Sequence, residues 1–266
     1  MNPIITVHPL TNSPTAVWDQ LSKTQKSTPL PIQNPSKPVE PGKVRIVHFD
    51  TRRDFTHCGQ ECEVIKFNDW MKSLPHRYKI VICGNHELSF DMTSAEFHYT
   101  RSRTKDEPVK DMRDLLTNCI YLEDSAVTLF GLKLYGSPWQ PEHGGWAFNL
   151  SRGEQCLSKW NLIPDDTDIL ITHGPPLGQC DKLQENRRAG CVELLATVQK
   201  RVKPMYHVFG HIHEGYGMCT DGEVVYVNAA TCNVNYMPKN LPIVFDVPLP
   251  EGQIKKLIGY IDFSVP

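Results

Sequence analysis

The sequence predicts an α/β domain built on a largely parallel sheet, on three observations. From Lys43 onward, short apolar runs alternate with longer amphipathic ones, the pattern of strands joined by helical crossovers. Three of the apolar runs pass directly into Gly- and His-rich clusters: Gly84-Asn85-His86-Glu87, His173-Gly174-Pro175-Pro176 and Gly210-His211-Ile212-His213. The chain has 266 residues, 40% of them hydrophobic, enough to bury one substantial core as a single domain with a tail.

Residues 1–42 hold eight of the 21 prolines and sustain no period of 2 or 3.6, so they are expected to form an extended or disordered arm. The folded domain is expected over residues 43–250, with residues 251–266 as a C-terminal extension. Residues 44–49 read as its first strand. Residues 63–74 place Val64, Phe67, Trp70, Met71 and Leu74 near helical spacing, and Pro75 ends that helix. Residues 80–83, 169–172 and 207–209 read as the strands that feed the three clusters. Residues 190–202 predict a second helix, with Val192, Leu194, Leu195 and Val198 apolar and Pro204 just beyond. Residues 132–135, 224–228 and 243–247 read as strands of a second sheet. No internal repeat is present.

Composition excludes some classes. A net charge of −2 and a pI near 6.6 give no basic surface of the kind that tracks a nucleic-acid backbone. No run approaches the roughly 18 apolar residues of a membrane span, and the N-terminus lacks the pattern of a secretory leader. A soluble, cytoplasmic protein is expected. Nine scattered cysteines suit reduced thiols better than a disulfide framework. Cys58 and Cys62 are a close pair, but no second pair follows at zinc-finger spacing.

Ligands gather at the carboxyl ends of strands in open α/β sheets, so clusters at three strand ends should converge. Imidazole nitrogens with Asn and carboxylate oxygens form a donor set for Mn, Fe or Zn. On an extended segment His211 and His213 would point to opposite sides and serve two neighbouring ions, unless the loop bends.

The order strand-Gly-Asn-His-Glu, strand-Thr-His-Gly, strand-Gly-His-Ile-His resembles the calcineurin-like metallophosphoesterase superfamily. Lys66-Phe67-Asn68-Asp69-Trp70, Thr172-His173-Gly174-Pro175-Pro176-Leu177-Gly178 and Gly210-His211-Ile212-His213-Glu214-Gly215-Tyr216-Gly217 resemble its metallophosphoesterase-domain-containing subfamily. The resemblance implies a four-layer α/β/β/α sandwich and two divalent ions (Mn, Fe or Zn) roughly 3.5–4 Å apart. It makes Asp54 the bridging carboxylate. Asn85, His173 and His211 complete the second metal, and Asp50 and His213 belong to the first. A hydroxide held by the metals then attacks phosphorus. His86 corresponds to the histidine that steadies the phosphoryl oxygens or protonates the leaving alkoxide, with Glu87 holding its ring.

The first motif departs from the family. Asp50-Thr51-Arg52-Arg53-Asp54 puts Arg52 in place of a histidine ligand and Arg53 in place of a glycine. Only three residues separate two aspartates that normally flank a β-α-β connection. Against the family's pattern a strand-helix element of about 20 residues is missing, and since adjacent parallel strands need a crossover of about a dozen residues or more, both strands cannot form as they do there. Either residues 44–49 keep their usual position and Asp54 dangles from a displaced loop, or they slide into the neighbouring position and carry Asp54 to the metals. The second metal site survives in both cases. His57 and His48 are candidate stand-ins for the lost ligand. A product lacking one coding segment would have a gap in its sheet, with apolar surface exposed there.

The function this implies is metal-dependent hydrolysis of phosphomonoesters or phosphodiesters, cyclic nucleotides among them, with activity reduced by the shortened motif. The alternative is a noncatalytic metal- or nucleotide-binding member of the same fold that keeps one metal. The expected partner is a small phosphate ester, with no nucleic-acid polymer and no membrane. Trp139, Trp146 and Trp160 are expected in the core or groove walls, Arg187-Arg188 as a solvated helix start, and Gly144-Gly145 as a mobile loop by the cleft. Specificity lies in the loops over the cleft, so the ligands leave substrate identity open.

Overall fold

The computed structural model describes residues 13–33, 36, 39–40, 42–48, 54–93, 111–184 and 187–251. Helix α1 (Pro14–Thr24) and strand β1 (Thr28–Leu30) open it, followed by β2 (Lys43–His48), α2 (Glu61–Ser73), β3 (Ile80–Val81), β4 (Ile120–Tyr121), β5 (Ser125–Leu129) and β6 (Leu132–Ser137). After these come β7 (Gln140–Pro141), β8 (Asn149–Leu150), α3 (Glu154–Trp160), β9 (Ile169–Thr172), α4 (Val192–Thr197), β10 (Tyr206–Phe209), β11 (Gly217–Thr220), β12 (Val225–Asn228) and β13 (Ile243–Pro248). A π-helical turn, Val198–Val202, continues α4.

The main sheet has seven strands in the order β1-β11-β12-β10-β9-β6-β5. Its centre is parallel, with β10 between β9 and β12 and β9 beside β6. Each central strand alternates between two cores, as the period of 2 requires. Leu134, Ile169, Val208 and Val227 face β13, β2 and β3. Tyr135, Leu170, Phe209 and Tyr226 belong to the core that includes Trp160 of α3 and Leu194 of α4. Val64, Phe67 and Met71 of α2 join that same core together with Val81 and Cys83, while β2, β3 and β13 form a second layer against the main sheet.

Three expectations need correction. The arm is not structureless throughout, because α1 packs Val17 against Leu177, Val192 and Leu195, and β1 pairs antiparallel with β11. Apolar residues at Val17, Trp18 and Leu21 give α1 a buried stripe despite the surrounding prolines. β6 and β12 lie in the main sheet and not in a second one, where they flank β9 and β10. Arg188 is no solvated helix start. It pairs with Asp181 at 2.5 Å and donates to the carbonyls of Ser22 and Gln25, which pins α1.

The second layer is broken. β2 pairs antiparallel with β13 and β3 pairs parallel with β4, but among the described residues no strand joins β2 to β3. Between these two-stranded pieces lies a cavity of about 400 Å³ lined by Val44, Ile46, Ile80, Ile82, Leu134 and Ile169. β2 thus leaves the position next to β3 to the cavity, yet Asp54 does not dangle: it is buried at the cavity's upper end. Neither arrangement expected for residues 44–49 stands whole.

Candidate metal centre

Asp54, Asn85, His173 and His211 come together where β3, β9 and β10 end. Asp54 takes a left-handed backbone conformation, φ 56°, and its carboxylate accepts the backbone N–H of His86 at 2.8 Å. Gly84 permits that approach, since a Cβ there would lie 2.4 Å from Asp54 Cγ and 2.5 Å from His173 Cε1. Asn85 Oδ1 lies 2.8 Å from His173 Nε2, and Asp54 Oδ1 lies 3.6 Å from His173 Nδ1. The His173 and His211 ring centroids are 4.5 Å apart.

The electrostatics are those of a buried donor set. Burial, reinforced by the neighbouring histidines His86, His213 and His143, lowers the pKa of His173 to about 3, so its ring is neutral. Burial also pushes the His211 pKa well down, with His173 contributing and Asp54 opposing. The Asp54 carboxyl is raised by burial, against the His86 N–H and the surrounding histidines. A neutral imidazole has one lone pair. With the proton on Nδ1, the Nε2 lone pair accepts the Asn85 backbone N–H at 3.3 Å beside Asn85 Oδ1; with the proton on Nε2, the Nδ1 lone pair faces Asp54 Oδ1. The donor types, imidazole nitrogens with amide and carboxylate oxygens, suit a divalent ion with mixed N and O ligands.

His211 sits at φ 67°, so the His-x-His segment bends. His211 turns toward His173 and His143, whereas His213 opens a short 3-10 turn and packs edge-on against Tyr236. Asp50, with Arg52 and Arg53, lies outside the described residues, as does the side chain of His48. The His57 carbonyl is 2.9 Å from His86 Nδ1, which makes that nitrogen the protonated one, and the His57 ring flanks that of His86 at 6.1 Å.

Glu87 does not hold the His86 ring. It is fully buried and accepts Gly84 N–H at 2.6 Å, Thr56 N–H at 2.9 Å and the Thr56 hydroxyl at 2.8 Å. It thereby ties the Asp54 loop to the end of β3. Burial and the nearby Asp54 push its pKa well up. Trp146 is a site wall, its ring 4.3 Å from that of His86, while Trp139 and Trp160 are core residues. The Gly144 carbonyl accepts from Asn149 at 2.9 Å, which anchors the glycine loop.

Sequence reading missed His143 and Thr56. His143 lies 5.6 Å from the His211 ring, but its spacing matches no motif and only the adjacent glycine pair drew notice to that loop. Thr56 follows Asp54 by two residues and gives no signal of its own. Among the described residues, the side chains that bring three metal-type donor atoms within 4.8 Å of one another are Cys156, Cys191 and Glu193. These already have protein partners: Trp160 Nε1–H and Leu194 N–H donate to Cys191 Sγ, and Gly153 N–H donates to Glu193. None of the described helices is long and apolar enough to cross a membrane.

Residues 54–215 match the family model described as calcineurin-like phosphoesterase, a domain that generally binds divalent metals. The chain is 57% identical over 208 residues to the human protein named metallophosphoesterase domain-containing protein 1, covering 75% of this chain and 64% of that one. It therefore spans a little under two-thirds of that relative's length. Two Caenorhabditis elegans proteins are also similar. UPF0046 protein T07D4.2 is 43% identical, with 93% of this chain and 71% of the relative covered. UPF0046 protein C25E10.12 is 39% identical, with 95% and 98% covered. Matched over more than half its length by the family model, with a donor cluster at its strand ends, this chain belongs to the calcineurin-like phosphoesterase family.

Proposed function

We propose that this chain hydrolyses small phosphate mono- or diesters, cyclic nucleotides among them, with Asp54, Asn85, His173 and His211 holding a divalent ion (Mn, Fe or Zn). The observation that carries this is the neutral His173 ring set between Asn85 Oδ1 at 2.8 Å and Asp54 Oδ1 at 3.6 Å. A divalent ion supplies Lewis acidity toward phosphoryl oxygens and acidifies water. A second ion would draw on His213 and Asp50, sharing Asp54. His86 stands at the rim with Nδ1–H on the His57 carbonyl, so that Nε2, when protonated, donates to a phosphoryl oxygen or gives its proton to the leaving alkoxide. Trp146, against the His86 ring, forms a flat apolar wall for the organic part of the ester.

A second reading, ion binding without turnover, is favoured by the shortened first motif, in which Arg52 stands where the family places a histidine ligand. Equilibrium dialysis against Mn and Zn, paired with hydrolysis of p-nitrophenyl phosphate and bis(p-nitrophenyl) phosphate, separates the two. Ion uptake that is lost in His173→Ala together with turnover supports the hydrolase; uptake without turnover supports the second reading. No uptake by the folded protein refutes both.

A further inference from the structure

Cys180 Sγ and Cys219 Sγ lie 3.1 Å apart, although the two residues are 39 positions apart in sequence. Cys180 follows the loop that carries His173 and takes a left-handed backbone conformation, φ 48°. Cys219 lies on β11, just beyond the turn that carries His211 and His213. A disulfide bond is about 2.05 Å long, so the sulfurs need to approach by only about 1 Å to form one.

The surroundings favour reaction at this pair. The Cys180 S–H donates to Cys219 Sγ, which lowers the Cys219 pKa against burial, with Ser27 assisting, and raises that of Cys180. Cys219 is therefore where the first thiolate of the pair forms, and the thiolate is the reactive form. Gln179 Oε1 lies 3.4 Å from Cys219 Sγ, while Gln179 Nε2 is buried without a hydrogen-bond partner. Turning that amide over would aim an N–H at the thiolate. Cys219 is buried, but Cys180 is only partly so, which gives a small oxidant a way in. Cys156 and Cys191 also have sulfurs within 4.8 Å of each other, yet both are buried, and Cys191 Sγ already accepts Trp160 Nε1–H and Leu194 N–H.

We propose that Cys180 and Cys219 close a reversible disulfide when the protein meets a peroxide, and that this bond fastens the segment after His173 to the strand after His211 and His213. One thiolate attacks a peroxide oxygen and breaks the O–O bond, giving a sulfenic acid and hydroxide. The second thiolate attacks that sulfur and expels its hydroxide. The two thiol protons turn both hydroxides into water. Two thiols and one hydrogen peroxide thus give one disulfide and two waters, each sulfur losing one electron and each peroxide oxygen gaining one. The joined segments are already in contact. Asn228 Nδ2 donates to the carbonyls of both Cys180 and Ile212, and Gly215 packs so closely on the Cys180 carbonyl that a Cβ there would collide with it. The proposal does not depend on ion binding or turnover.

Treatment of the reduced, folded full chain with hydrogen peroxide, followed by alkylation and peptide mapping by mass spectrometry, tests it. Expected is a Cys180–Cys219 linked peptide that forms at least tenfold faster than any other pairing among the nine cysteines. Dithiothreitol should remove it, and Cys180→Ser should not form it. Hydrogen exchange in peptides covering residues 174–180 and 211–220 should slow at least tenfold on oxidation of the unaltered chain and stay unchanged in Cys180→Ser at the same peroxide dose. If Cys180→Ser fails to fold, Cys219→Ser provides the comparison. Full alkylation of both thiols after the peroxide-treated chain is unfolded overturns the proposal, as does a Cys156–Cys191 link formed in preference. So does a Cys180–Cys219 link that leaves exchange unchanged, because the bond would then fasten nothing.

Discussion

The Asp54 carboxylate accepts the His86 backbone N–H at 2.8 Å, which locks the residue that follows the shortened first motif onto the loop that follows β3. The contact depends on Gly84, where any Cβ would collide with Asp54 and His173. Gly84→Ala is expected to displace both side chains. It should weaken Mn binding at least tenfold and cost about 1–3 kcal/mol of stability, as overpacking does. Equilibrium dialysis and urea unfolding check the two parts.

Glu87 lies among groups that need acceptors. Glu87→Ala leaves Gly84 N–H, Thr56 N–H and the Thr56 hydroxyl without their partner, at about 1–3 kcal/mol for each buried group. Glu87→Gln keeps one acceptor oxygen and is expected to cost roughly 1–3 kcal/mol in all, for one lost N–H partner. Denaturant unfolding of both variants should rank alanine well below glutamine. Equal losses would mean that Glu87 serves packing alone.

His207 gives a pH signature away from the donor cluster. It is fully buried with Nε2 on the Thr172 hydroxyl at 2.8 Å, and burial lowers its pKa to about 3. The unfolded chain binds a proton near pH 6.5 that the folded chain refuses until about pH 3. Stability from this group is therefore complete above the unfolded pKa and falls with acid, by at most about 1.4 kcal/mol per pH unit. Replacing His207 with Gln should flatten the acid limb of a plot of unfolding free energy against pH between about 6 and 4. Glu87, whose pKa is raised, acts in the opposite direction, since its buried charged form loses stability as pH rises through the unfolded value. The His207 comparison must therefore be made with Glu87 intact.

Strand ends and donors were legible because both are local signals. The runs before Gly84, His173 and Gly210 are continuous and apolar, and β3, β9 and β10 form there. Asn85, His173 and His211 follow those ends directly. Less legible was what depends on distant partners. Sheet membership of β6 and β12 is decided by their pairing with β9, β10 and β11, which alternation in one segment cannot show. α1 is stabilised by Leu177, Val192 and Leu195, more than 150 residues away in sequence, so its proline-rich surroundings misled. Glu87 was assigned to the His86 ring from adjacency, but the backbone N–H groups of Gly84 and Thr56 compete for it successfully. The missing crossover was readable from three residues between Asp50 and Asp54, whereas its result, a cavity beside β2 with Asp54 still in place, required the three-dimensional packing.

Turnover itself is decided by Mn-dependent hydrolysis of bis(p-nitrophenyl) phosphate by the purified, monodisperse chain, with Asn85→Ala prepared identically to reveal contaminating phosphatase. Hydrolysis that rises with Mn and falls on the order of 100-fold in Asn85→Ala is the predicted result, and it would mean that the donors at the three strand ends work despite the shortened first motif. Equal rates in the two proteins, or no hydrolysis by folded chain that has taken up Mn, would contradict it and leave an ion-binding member of the family without turnover.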